Sequence, residues 1–313
     1  MPVIEAYGTL EPFAENSIYF VLTDRFVNGD TSNDYRDQGK SVGLGTWDRP
    51  MNGTNGGTDN IGYLGGDFKG VYDNADYITS MGFGAVWITP IVEQPNEAYT
   101  GGDECFYGAP GGKADKGKTG YHGYWGTNFY KVDEHLPSPD LDFKSYTTKM
   151  RAKGLKTVLD IVCNHASPGY TMDPAQYNRT SSQFGRLYDE SGKEVASSGN
   201  VASGYSSWFG AELATLADFS TTSDDVFNYL SNAYLKWIDQ GVDALRIDTV
   251  KHMPMSWWKK FVDKIRAKNP GMYMFGECFD IQSAGMGSYQ REVGMDTLDF
   301  PCKYAMQNGF GIS

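Results

Sequence analysis

The chain has 313 residues, 40% of them hydrophobic and 14% aromatic, with a formal net charge of −12. That length is enough for one large domain with a full core. The acidic balance argues against a nucleic-acid partner, which needs a basic patch, and no apolar run approaches the ~18 residues of a membrane span.

Strands and helices alternate along the chain. Apolar runs predict strands at Ser17 to Leu22, Gly84 to Thr89, Leu155 to Val162, Ala244 to Val250, Met272 to Phe279 and Thr297 to Phe300. Between them, Asp224 to Gln240 places Val226, Leu230, Ala233 and Trp237 on one helical face, and Ser256 to Lys268 does the same with Trp257, Phe261 and Ile265. Asn269-Pro270-Gly271 stops the second helix. Two long irregular insertions, Ile91 to Leu141 and Ala166 to about Ser223, each follow a strand. This alternation predicts an α/β domain with a parallel sheet. Met1-Pro2-Val3-Ile4-Glu5 lacks the basic start and apolar stretch of a signal peptide. Of the four cysteines, Cys105, Cys163, Cys278 and Cys302, three pairings are open, and their spacing fits no zinc site. Cys163 and Cys278 lie on predicted strands, where the role of a small buried hydrophobe is expected.

Three of the strands carry charge where a buried parallel strand is ordinarily apolar. Gly241 to His252 runs through Val242, Ala244, Leu245 and Ile247 and then presents Arg246, Asp248, Lys251 and His252. Alternation sends Arg246 and Asp248 to one face, where the guanidinium can hold the carboxylate ionised. A carboxylate at the C-terminal end of such a strand is a candidate nucleophile, with a structural Arg–Asp pair as the alternative. Tyr273 to Phe279 is apolar except for Glu277, whose setting predicts a raised pKa and a proton retained near neutral pH. One charged and one neutral carboxyl is the pairing that glycoside hydrolysis uses. Leu155 to His165 ends in Asp160, Asn164 and His165.

With these motifs, Asp160-Ile161-Val162-Cys163-Asn164-His165, Gly241 through His252 and Phe275-Gly276-Glu277, the chain resembles the α-amylase family of retaining glycoside hydrolases. Gly84 to Pro90, Tyr121-His122-Gly123-Tyr124-Trp125 and Leu216-Ala217-Asp218 are weaker matches. The likeness is strongest to the bacterial α-amylase, maltogenic amylase and cyclodextrin glucanotransferase branch. It implies a (β/α)8 barrel, here with six visible strands, formed by residues 1–165 and 224–313, with residues 166–223 as the small insertion domain after the third strand. The family's last motif, a His-Asp pair after the seventh strand, lies beyond Ser313. The chain is accordingly expected to be part of a longer, secreted, monomeric protein, and nearly inert alone.

The resemblance also implies roles. Asp248 would be the nucleophile, Glu277 the general acid/base, and Arg246 the group holding Asp248 ionised. His165 would donate to a hydroxyl of the cleaved sugar, and Tyr124 would stack beneath that ring, with His122 and Trp125 of the same motif in the cleft. Lys251, His252 and Phe279 would line the leaving-group and acceptor side. Calcium is the expected ion, held by the side chains of Asn164 and Asp218 with the carbonyl of His252. A second calcium loop would use Asn28, Asp30, Asn33, Asp34, Gly65 and Asp67, although an Asx- and Gly-rich turn explains the same residues. Cyclising members carry an aromatic side chain where this chain has Ala214, so hydrolysis of starch or maltodextrins is expected over cyclisation. Glucan transfer, or a partner protein that kept the barrel without its chemistry, are the alternatives.

Overall fold

Six parallel strands form one sheet in chain order: β1 Ile18–Val21, β2 Ala85–Ile88, β3 Lys156–Ile161, β4 Ala244–Ile247, β5 Tyr273–Gly276 and β6 Asp296–Thr297. The computed structural model describes residues 12–52, 58–100, 117–169, 174–177, 180, 182–198, 207–210, 216–279 and 283–311. Helices α1 Phe68–Asp73 and α2 Ala75–Ser80 connect β1 to β2, and α3 Phe143–Ala152 connects β2 to β3. Helix α4 Asp224–Ile238 connects β3 to β4, α5 Met255–Lys268 connects β4 to β5, and α6 Phe300–Phe310 follows β6. Helix starts follow local chemistry: Asp67 caps α1 through Gly70 N, Asp142 caps α3 through Ser145 N, and Ser223 caps α4 through Val226 N.

Strand alternation divides the side chains into two sets. Val86, Ile88, Leu159, Ile161, Leu245, Ile247 and Met274 face the helices and merge with Ile78, Tyr146, Leu230, Tyr234, Phe261 and Ile265 into one core. Ala85, Val158, Ala244 and Phe275 face the other way, with Ile18, Trp87, Tyr273 and Leu298 beside them and Phe13 packed in. This second face is the lumen of an incomplete barrel. β1 and β6 are the two edges and do not pair with each other among the described residues. Phe20 of β1, 48% exposed, lies 4.4 Å between ring centroids from Trp87.

The helix faces read from the sequence are buried as expected: Val226, Leu230, Ala233 and Trp237 on α4, and Trp257, Phe261 and Ile265 on α5. Two of these helices also anchor strand ends. The Tyr234 hydroxyl accepts from Val162 N at 3.0 Å and donates to Val162 O, tying α4 to the chain just past β3. Trp258 Nε1 donates to Val250 O at 2.8 Å, tying α5 to the turn after β4. Burying a ring of this size stabilises by roughly 2–3 kcal/mol, so the anchors share their energy with the core.

Several boundaries differ from the sequence reading. β4 ends at Ile247, because Thr249 turns left-handed and Val250–His252 forms a 3-10 turn. β5 ends at Gly276 and β6 is only Asp296–Thr297. Phe300 belongs to α6, where Asp299 accepts from Cys302 N at 2.9 Å as the N-cap. Neither insertion is wholly irregular: Val92–Glu93 pairs with Asn128–Val132, His165–Pro168 with Leu216–Asp218, and Arg186–Tyr188 with Glu194–Ser197. The strand His165–Pro168 crosses the expected insertion boundary at residue 165. Cys163 and Cys278 are buried and free, as small hydrophobes, and Cys302 is free and exposed. Cys105 and Ala214 lie outside the described residues.

Candidate active site

The parallel register of β3 and β4 sets Arg246 opposite Asp160, on the lumen face near the C-terminal ends of both strands. Arg246 Nη1 donates to both Asp160 oxygens, at 2.9 and 3.0 Å, and to Asp248 Oδ1 at 2.9 Å. Its Nη2 stands 2.8 Å from Glu277 Oε2. The guanidinium is 4% exposed, 5.1 Å from the Trp87 ring centroid, and so serves three carboxyl groups at once. Arg246 reaches Asp248 as expected, but it also binds Asp160 and Glu277, so the surroundings of Glu277 are not purely apolar. The ladder continues past the strands, with Asp248 N donating to Ile161 O at 2.9 Å and Glu277 N to Ile247 O at 2.8 Å. Backbone bonds therefore fix the height of both carboxyl groups above the sheet.

Asp160 is the residue whose role the sequence reading left unassigned. Besides Arg246, Trp87 Nε1 at 2.9 Å and the Tyr124 hydroxyl at 2.8 Å donate to its Oδ2. Burial pushes its carboxyl up to about 7, against the pull of Arg246 and the Tyr124 hydroxyl. With each of these three hydrogen-bond partners a donor, Asp160 is the buried anchor that orients Arg246 and Tyr124. Glu277 is the more accessible carboxyl. Burial raises its pKa, the Asp248 carboxyl adds to that rise, and Arg246 opposes both.

The remaining predicted residues surround this centre unequally. Tyr124 is oriented by its bond to Asp160 and by the His122 ring, stacked at 5.6 Å, whose Nδ1 accepts from Tyr124 N at 3.0 Å. Burial depresses His122 to about 3 and His165 to about 4, so both are neutral at ordinary pH. His165 opens the strand His165–Pro168 and pairs in register with Asp218. The Trp125 ring packs edge-on against Tyr99, Phe184 and His122. Beyond Glu277, Phe279 is 43% exposed, with the Lys251 ammonium 5.4 Å from its centroid and Phe300 edge-on at 5.3 Å. Phe300 is a second ring here that sequence reasoning missed, because it was assigned to a strand.

Two oxygen-rich clusters have the donor set of a hard cation. In one, Asn164 Nδ2 is 3.4 Å from Asp218 Oδ1, both side chains are buried, and His252 closes the 3-10 turn after β4. In the other, the buried Oδ1 atoms of Asn28 and Asn33 have no hydrogen-bond partner, and Asp34 is buried beside them, accepting from Asn28 Nδ2 at 2.7 Å. Gly65, at φ 91°, completes this cradle: a Cβ there would lie 2.2 Å from Asn28 Nδ2 and 2.6 Å from Asp34 Oδ1. Asp67 and Asp30 also hold the backbone of this loop. Asp67 accepts from the backbone of Gly29, Asp30 and Gly70, and Asp30 caps Thr31–Asn33 through Ser32. The residues expected to form an ion loop are thus also those of an Asx turn.

The pattern of the family described as "Alpha amylase, catalytic domain" matches residues 20–310. Among curated relatives, the cyclomaltodextrin glucanotransferase of Thermoanaerobacterium thermosulfurigenes is 31% identical over 315 residues, 94% of this chain and 39% of the relative. The beta/alpha-amylase of Paenibacillus polymyxa is 32% identical over 304 residues, 96% of this chain and 21% of the relative. Among solved structures, CldA, a cyclomaltodextrin glucanotransferase with a three-domain ABC distribution, superposes with a TM-score of 0.73 at 29% identity, covering 95% of this chain and 58% of CldA. The α-amylase GTA of Geobacillus thermoleovorans, solved with acarbose, gives 0.61 at 25% identity, covering 94% of this chain and 53% of that one. The chain spans about two fifths of the length of the glucanotransferases it matches, 39% and 40% for two of them.

Proposed function

The chain belongs to the α-amylase catalytic-domain family, and from that premise we propose that it carries the cleavage centre of a retaining α-glucan hydrolase acting on starch or maltodextrins. The observation that carries this reading is the single guanidinium of Arg246 binding Asp248 and Glu277 at the ends of adjacent strands. In the proposed double displacement, Asp248 attacks the anomeric carbon while the Glu277 carboxyl protonates the departing oxygen. Glu277, now a base, then activates the water that releases the sugar with its α configuration retained. Arg246 stabilises the carboxylate in each half of the reaction, and Asp160 holds Arg246 and Tyr124 in place.

Transfer to a sugar acceptor is the second reading, favoured by the exposed Phe279 beside Lys251 and by the glucanotransferases among the relatives. Hydrolysis is preferred on Ala214, the position where cyclising members carry a ring. Incubation with maltoheptaose, with products separated by size and anomer, decides between them. Shorter linear products released as α anomers are expected. Cyclic or lengthened products would move the assignment to transfer, and β anomers would sink the double displacement.

Calcium fits both oxygen clusters, and we propose it as a structural ion clamping the insertion to the barrel through Asn164, Asp218 and the His252 carbonyl, with a second at Asn28, Asn33, Asp34 and Gly65. When bound, it would neutralise the buried carboxylates and fix the loops. Calcium at about a hundred times its Kd should add about 2.7 kcal/mol to unfolding, read as a raised melting temperature that Asp218→Asn reduces. Identical melting in calcium and in chelator would contradict the assignment.

A further inference from the structure

Gln94 directly follows the strand Val92–Glu93 and is 2% exposed. A buried carboxamide has two N–H donors and an acceptor oxygen to satisfy, and Gln94 places all of them on main-chain atoms. Its Nε2 donates to Val92 O at 2.7 Å and to Gly123 O at 3.0 Å, while its Oε1 accepts from Trp125 N at 2.8 Å. The side chain is thus bonded to the residue before Tyr124 and to the residue after it. Its own main chain is fixed as well. Gln94 N donates to Asp133 Oδ2 at 2.9 Å, and the other oxygen of that carboxyl accepts from His135 N at 3.0 Å and lies 2.7 Å from His135 Nδ1.

The loop around Tyr124 packs directly on this amide. Gly123 turns left-handed at φ 87° and donates its N–H to Gly120 O at 2.8 Å. A Cβ on Gly120 would stand 2.8 Å from both Cβ and Oε1 of Gln94, so a larger residue there would displace the amide. Tyr124 donates its own N–H to His122 Nδ1 at 3.0 Å and its hydroxyl to Asp160 Oδ2 at 2.8 Å. A ring held only at its hydroxyl can still swing about that bond; fixing the main chain on both sides of its Cα removes this freedom. We propose that Gln94 is a positioning residue for Tyr124, setting the ring from the main-chain side as Asp160 does from the hydroxyl side. This rests on the reading of Tyr124 as the ring beneath the cleaved sugar. Both halves of the amide are required, because Gly123 O needs a donor and Trp125 N an acceptor.

Nuclear magnetic resonance of the chain carrying labelled tyrosine rings reads the placement of Tyr124 without turnover, and the activated substrate α-maltosyl fluoride reads its consequence. Gln94→Met fills similar space with neither polar function. In it the Tyr124 ring signals should shift or broaden, while those of Tyr146, buried on α3, stay in place. Its kcat should fall by about 10²-fold with KM little changed, the pattern of lost positioning rather than lost binding. Gln94→Asn keeps a buried amide one methylene shorter, and carries the test if the methionine chain does not fold; smaller changes of the same kind are expected in it. A folded variant of either kind with wild-type Tyr124 signals, or with displaced signals and an unchanged kcat, would overturn the proposal. Tyr124 signals that follow Gln94 in a chain whose wild-type form leaves α-maltosyl fluoride intact would refute the reaction and leave the positioning standing.

Discussion

Replacing Arg246 by leucine is expected to cost the folded chain about 3–5 kcal/mol, the range for removing one partner from a buried ion pair. The guanidinium is 4% exposed and bonds three carboxyl groups, of which Asp160 is 1% exposed and Asp248 8%. Without it these groups have no cation at hydrogen-bond distance among the described residues, and protonation lowers the cost of their burial. The pH dependence follows with a definite sign. In the variant, folded-state carboxyl pKa values rise above the unfolded values, so the folded state binds more protons and unfolding free energy increases as pH falls through neutral. Urea unfolding at pH 7.5 and 5.5 reads both effects. Arg246→Lys should fall between, because an ammonium lacks the planar fork that spans Asp160, Asp248 and Glu277. A leucine variant as stable as the wild type at both pH values would remove Arg246 from the centre of the account.

Asp248→Asn is expected to lower turnover of an activated substrate such as α-maltosyl fluoride by three orders of magnitude or more, the scale on which loss of a nucleophile acts. The fluoride leaves without needing a proton, so the measurement isolates attack from the acid step. Folding should survive, since the amide keeps an oxygen for Arg246 Nη1 at the position that now accepts at 2.9 Å. A melting temperature near wild type together with lost turnover would mark a chemical role. Retained turnover would show that another group attacks.

Much of this site is legible in the sequence because charge interrupts strands that are otherwise apolar. Arg246, Asp248 and Glu277 stand out for that reason, and the alternation of β4 places the first two on the lumen side. Asp160 interrupts β3 in the same way, yet its role depends on which residue faces it across the sheet. The pairing of Asp160 with Arg246 joins positions 86 residues apart, and no local pattern encodes that register. Trp87, read as one more apolar strand residue, has its indole N–H on Asp160 for the same non-local reason. Thr249 and Val250 carry β-branched side chains, so local propensity extended β4 too far; the bonds to Glu277 and Trp258 override it. Phe300 lies in a helix rather than a strand because Asp299 caps it and Pro301 sits in its first turn. Asn28, Asp34 and Gly65 were visible as turn formers, and only the unpartnered oxygens of Asn28 and Asn33 distinguish a cradle from a turn.

The assignment of Asp248 as the attacking group is tested most directly by trapping. Glu277→Gln, lacking the base of the second step, is incubated with α-maltosyl fluoride and digested, and the peptides are weighed. A maltosyl adduct on the peptide bearing Asp248, absent in the Asp248→Asn/Glu277→Gln double variant, is the predicted result. An adduct on any other residue, or a sugar released as the β anomer with no adduct at all, would contradict the double displacement and the role given to Asp248.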